Sequence, residues 1–147
     1  MIGKVSITFL ALGIIIGSLI SCQKVDSEPA YEDGTYRGVF TDLGKIQINL
    51  QLTLEDNIIT SAEFRHLKRD ENYHYDAKEE PYISVVNQYK EALDYLVGKD
   101  INTHLADLYH PENVVKSEVD GYTAATLRTS KIISAIRDAL NRGVYSY

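Results

Sequence analysis

The chain has 147 residues, with 15 Lys and Arg against 21 Asp and Glu and a formal net charge of −6 at pH 7. That size suits one domain around one hydrophobic core. An acidic balance with no evident basic patch argues against a nucleic-acid partner, which needs cations to neutralise phosphates. The only cysteine, Cys22, excludes an internal disulfide, so the fold must rest on packing.

In chain order, a basic start at Lys4 precedes an apolar run from Val5 to Ile20, with small residues at Gly13, Gly17 and Ser18. A membrane-spanning helix takes about 20 apolar residues, so this shorter run, with its small-residue exit, reads as a secretory signal. The exit Leu19-Ile20-Ser21-Cys22 resembles the lipobox of bacterial lipoproteins. By that resemblance residues 1–21 are a lipoprotein signal peptide and Cys22 is the lipidation site. The exported protein is then held by its lipid anchor on the periplasmic or cell-surface side of a bacterial membrane. The other reading is a signal-anchor helix that stays in place, with Cys22 an idle thiol. Residues 22–32 are mostly polar, contain Pro29 and read as a flexible tether. Residues 33–147 remain as the domain.

Lys45 to Leu54 alternates, with Ile46, Ile48, Leu50, Leu52 and Leu54 on one face and Gln47, Asn49, Gln51 and Thr53 on the other. This predicts a half-buried strand. Glu55-Asp56-Asn57 has turn composition, and Ile58 to His66 is expected as the return strand with Ile58, Thr60, Ala62 and Phe64 on one side. Thr35 to Phe40 is expected to pair as a third strand through a turn at Asp42-Leu43-Gly44. Arg69 to Glu80 is charged and aperiodic and reads as an exposed loop. Pro81 then opens a helix carrying Tyr82, Val86, Tyr89, Leu93 and Leu96 at helical spacing, stopped by Gly98. A shorter helix is expected over Asn102 to Tyr109, with Leu105 and Leu108 inward, and a strand over Val114 to Val119. Thr129 or Ser130 caps a last helix whose Ile132, Ile133, Ile136 and Leu140 face the core, and Gly143 ends it. The fold class is therefore α+β: an antiparallel sheet packed with two main helices in a single small domain.

Ahead of that last helix the chain reads Asp120-Gly121-Tyr122-Thr123-Ala124-Ala125-Thr126. Two hydroxyls flank a pair of small side chains that let a bulky group approach the backbone. A helix N-terminus supplies unpaired N–H groups and the positive end of a dipole, which suit a phosphate. The segment resembles the flavinylation motif Asp-x-x-Ser/Thr-Gly-Ala-Thr/Ser of the FMN-binding domain family. That family includes flavin subunits of the sodium-pumping NADH:quinone reductase and Rnf complexes and many small bacterial lipoproteins. Asp120, Thr123, Ala125 and Thr126 match; Ala124 stands where the family usually has glycine. A second stretch, Asp33-Gly34-Thr35-Tyr36-Arg37-Gly38, resembles the family's opening Asp-Gly-x-Tyr-x-Gly.

The resemblance implies FMN joined through its phosphate to the Thr126 hydroxyl by a separate flavin transferase that uses FAD and a divalent metal. It also implies membrane-bound redox partners, and Asp120 and Thr123 as residues that position the acceptor or its phosphate. Arg128 adds a guanidinium that could pair with the phosphodiester, and Tyr36 or Tyr122 could stack on a flavin ring. Each of these residues also has an ordinary role open to it, in a turn, a loop cap, a solvated surface or the core edge. The four histidines show no metal-site spacing. No nucleophile–base arrangement, glycine-rich phosphate loop or dinucleotide fingerprint is present, so an electron carrier is a better reading than a stand-alone enzyme. The alternative is an exported lipoprotein of the same fold that acts as a flavin-free interaction module or binds FMN non-covalently.

Overall fold

A strand in which every second side chain is apolar can bury one face completely, and the sheet grows from such a strand. A computed structural model of the chain describes residues 30–69, 73–74, 78–80, 82–117 and 128–146. In it β2 (Ile46–Glu55) buries Ile46, Ile48, Leu50, Leu52 and Leu54. β1 (Gly34–Asp42) pairs antiparallel along one edge of β2 and β3 (Ile58–Arg69) along the other. β4 (Tyr73–His74) pairs with the end of β3, giving the order β1-β2-β3-β4. Both tight turns around β2 use left-handed backbone, at Leu43 and Gly44 (φ 51° and 73°) and at Asp56 and Asn57 (φ 51° and 63°). Turns of this hand follow the twist of the strands they join.

β3 departs from the simple alternation expected for it. Ile59 and Leu67 are the fully buried residues, Ala62 and Phe64 pack partly against the core, and Thr60 is exposed. The cause is two register shifts against β2, between Thr53 and Leu54 and between Asn49 and Leu50. Each bulge adds one residue on β3 and reverses which side of the strand faces inward. The inward set is therefore Ile59, then Ala62 and Phe64, then Leu67, rather than Ile58, Thr60, Ala62 and Phe64.

The helices cover the apolar face of the sheet. α1 (Tyr82–Asp94) buries Val85, Val86, Gln88, Tyr89, Ala92 and Leu93 and meets β3 through an edge-to-face contact of Tyr89 with Phe64, ring centroids 6.4 Å apart. After it come α2 (Ile101–His104), a 3₁₀ turn (Leu105–Tyr109) and α3 (Pro111–Val114). Asp100 caps α2 by accepting the N–H groups of Asn102 (2.8 Å) and Thr103 (3.2 Å). α4 (Ser130–Arg142) lies across β1 with Ile132, Ile133, Ala135, Ile136 and Ala139 buried, and ends at Gly143 with φ 80°.

Two further expectations change. The stretch from Arg69 to Glu80 begins as strand, because β3 runs through Arg69 and Tyr73–His74 folds back on it. Two paired residues are too few for any periodicity to show. Val114 closes α3 instead of opening a strand: Pro111 takes the first helical position, and the Val115 N–H returns to its carbonyl at 2.9 Å. Both valines are buried in the one core cluster that joins sheet and helices. The domain is α+β, an antiparallel sheet packed with two main helices, α1 and α4.

Candidate functional site

The residues expected to hold a cofactor, Asp120, Thr123, Ala124, Ala125 and Thr126, lie outside the described residues, as do Tyr122 and the lipidation candidate Cys22. The frame on either side of segment 118–127 is described, and both sides rest on α1. Upstream, the backbone N–H groups of Lys116 and Ser117 donate to Glu91 Oε2 at 2.9 and 3.1 Å, and the Ser117 hydroxyl donates to Glu91 Oε1. Downstream, the Arg128 N–H donates to the Tyr89 hydroxyl at 3.1 Å. Glu91 and Tyr89 stand two residues apart on one helix. The Tyr89 ring is fully buried, so its hydroxyl is a fixed acceptor rather than a swinging one.

The Ser117 hydroxyl bond holds the Glu91 carboxyl below its ordinary range. Burial pushes the other way, and the Ser117 and Lys116 amides and the Lys116 charge add to the lowering. Glu91 is thus kept ionised by the groups it clamps.

α4 starts differently from the expected capped helix. Thr129 sits in right-handed helical geometry and makes no side-chain cap. It is 3% exposed, and its hydroxyl donates instead to the Leu108 carbonyl in the 3₁₀ turn. Helical bonding already begins at the Arg128 carbonyl, which accepts the Lys131 N–H at 2.9 Å. The Arg128 side chain is exposed. Segment 118–127 therefore leads straight into an exposed guanidinium and the first turn of a helix of 13 residues. These are groups that fit a phosphate, since orphan N–H groups, the helix dipole and a planar cation all favour an oxyanion.

Beside the upstream clamp lies a groove of about 350 Å³ lined by Glu91, Asp94, Tyr95, Lys99, Val114 and Lys116. Just behind it the Asp107 carboxylate accepts the Tyr95 hydroxyl at 2.8 Å and pairs with His104 Nδ1 at 2.9 Å. The His104 bond, then the Tyr95 bond, holds the Asp107 carboxyl below its usual range. This network ties the end of α1 to the 3₁₀ turn. Among the described residues no group of three or more His, Cys, Asp or Glu could hold a metal ion.

The opening stretch Asp33 to Gly38 is tied into the fold at Asp33, Tyr36 and Gly38. Asp33 Oδ1 accepts the Asp56 N–H at 2.8 Å and so fastens the β2–β3 turn. Tyr36 is 2% exposed and donates its hydroxyl to the Glu32 carbonyl at 2.6 Å. Burial first, then the charges of Glu32 and Asp33, pushes its phenol above the usual value. A ring so enclosed has no face left for a flavin to stack on. A Cβ on Gly38 would stand 2.0 Å from the Ala135 carbonyl oxygen, so α4 can lie this close to β1 only over glycine.

Arg128 and the approach of a helix are legible in the sequence; Glu91, Ser117 and Tyr89 as clamps are not. Those bonds join residues 26 and 39 positions apart, and no local pattern carries such a partnership. Fold and frame define a small α+β domain in which one helix holds both flanks of segment 118–127. No protein-family model, curated protein or solved structure matches the chain. Among the described residues, no helix is long and apolar enough to cross a membrane.

Proposed function

We propose that the protein is a membrane-anchored carrier of FMN that passes electrons between partners. In this reading a separate transferase joins the flavin by a phosphoester to Thr126, and Cys22 carries the lipid anchor. The observation that carries the reading is the junction at Arg128: the segment bearing the Asp120–Thr126 motif leads directly into an exposed guanidinium and the N-terminus of α4. Support also comes from the resemblance of both motifs to the FMN-binding domain family and from the lipobox-like exit at Cys22. Arg128 and the first N–H groups of α4 would hold the phosphate, and the small Ala124 and Ala125 would admit the cofactor. The flavin supplies the electron chemistry, and the protein holds it and tunes its potential. Covalent attachment suits an exported carrier, because a dissociated cofactor outside the cytoplasm diffuses away.

A second reading, the same fold without flavin, draws on Ala124, whose methyl group resists any positive φ that glycine would allow. Expression of the full chain with a flavin transferase, followed by denaturation and in-gel fluorescence, separates the two. Fluorescence that survives denaturation and is absent from Thr126→Ala is the expected result. Colour that leaves on denaturation would mean non-covalent binding. Colourless protein, both from that host and from the native one, would end the flavin reading.

A further inference from the structure

Most of the groups on the outer face of the sheet, turned away from the helices, are polar, and at one place they converge. A groove of about 470 Å³ opens between this face and the chain after α4, lined among others by Arg37, Asn49, Arg65, Arg142 and Tyr145. Three guanidiniums meeting in a chain of net charge −6 is a local reversal of sign. The geometry brings them together deliberately. Arg37 on β1 and Arg65 on β3 both donate to one oxygen, Gln51 Oε1, at 2.8 and 3.3 Å. The bulge opposite Asn49 and Leu50 is what adds Arg65 to β3 at this point. A neutral amide thus stands between two cations where a carboxylate would be the ordinary choice.

The third cation is held from the side. Arg142 donates Nε to Asp138 Oδ2 at 2.8 Å, and that same oxygen accepts the Val39 N–H at 2.8 Å. With its Nε edge used, the Arg142 side chain is still 58% exposed. The Tyr145 ring lies 3.7 Å from Arg37 Cζ and fixes the plane of that guanidinium. The Tyr145 N–H bonds the Thr35 carbonyl at 2.7 Å, which pins the ring to the sheet edge. Two carboxylates border the cluster: Asp138 is ion-paired with Arg142, leaving Arg37 and Arg65 as the cations on Gln51, and Glu63 lies beyond Gln51 and takes its amide at 3.4 Å.

We infer that this groove is a binding site for the phosphate group of a small phosphorylated ligand. Oriented guanidiniums match a phosphate with paired N–H donors, which a lysine cluster cannot do, and the volume is that of a small-molecule site. The groove is separate from the junction at Arg128: it sits at the C-terminal end of α4, a helix length of roughly 20 Å away, and does not depend on the flavin reading. A free phosphate ester and a lipid headgroup present the same chemistry.

The test is calorimetric titration of the full chain, in neutral detergent, with pyrophosphate, glycerol phosphate and soluble short-chain phosphatidylglycerol. Saturable binding that weakens with added salt is expected, and Arg65→Gln or Arg142→Gln should each raise Kd by about tenfold. Lys45→Gln, in the exposed β1–β2 turn and outside the groove, should leave Kd unchanged. Arginine side-chain NMR shifts at Arg37 and Arg65 report the same site without relying on a variant. Preference for phosphatidylglycerol over glycerol phosphate identifies a headgroup site, and equal affinity a free-phosphate site. Absence of saturation with all three probes in the millimolar range, or an unchanged Kd in both arginine variants, overturns the assignment.

Discussion

Gly38 decides how close helix and sheet can come. An added Cβ would stand 2.0 Å from the Ala135 carbonyl oxygen, 2.6 Å from the Ala139 nitrogen and 2.8 Å from the Ala139 Cβ. Two of those three are backbone atoms of α4, which no rotamer change can move aside. The alanines opposite are the other half of the fit, since Ala135 and Ala139 are fully buried and the smallest side chains α4 could offer there. Gly38→Ala should therefore lift α4 from β1 and cost about 3 kcal/mol, the upper range for overpacking a filled core. Chemical denaturation of the wild type and the variant measures it. A cost below about 1 kcal/mol would mean that the helix slides without loss, contrary to close packing. Tyr36, two residues earlier, is matched to the same crossing: its ring fills the core while its hydroxyl finds the Glu32 carbonyl.

α1 does two jobs, filling the core and gripping chain through the buried Tyr89 and the more exposed Glu91. Its grip at Glu91 is pH-dependent with a definite sign. The carboxyl is held below its ordinary value, which is about 4.3 in an unfolded chain, so the native state favours the ionised form. The stability this contributes is complete above that value and is lost as pH falls through the lower folded value. Glu91→Gln should lower the melting temperature at neutral pH, and the gap between variant and wild type should narrow as pH falls below the unfolded value of about 4.3. Asp107 is lowered too, but it is present in both proteins and cancels in the difference. A gap independent of pH would assign the effect to lost packing instead. Elements of this kind were unevenly legible in the sequence. β2 could be read residue by residue because it carries no extra residue of its own and one of its faces is buried along its whole length. β3 could not, because its two bulges depend on how it pairs with β2, and a strand's own sequence does not record its partner's slack. The helix stripes of α1 and α4 were legible for the same reason as β2. Thr129 was misread as a cap because Leu108, its actual acceptor, is 21 positions away.

Taken together, the molecule places its two unusual features at opposite ends of α4 and gives α1 control of one of them. Segment 118–127 leaves Glu91 and returns to Tyr89, so the separation of its ends is set by two residues of a rigid helix. In the proposed carrier, a transferase must find Thr126 between those fixed ends, and loosening them should reduce loading before it unfolds the domain. Tyr89→Phe keeps the buried ring and its contact with Phe64 and removes the acceptor for the Arg128 N–H, at about 1 kcal/mol. Ile59→Val, in the sheet core, costs a similar amount, about 1 kcal/mol, without touching either clamp. Covalent flavin per chain, read by in-gel fluorescence against protein stain, should fall in Tyr89→Phe and stay at the wild-type level in Ile59→Val. Wild-type loading in both variants would remove α1 from any part in presenting the acceptor. Equal loss in both would show that only global stability matters to attachment.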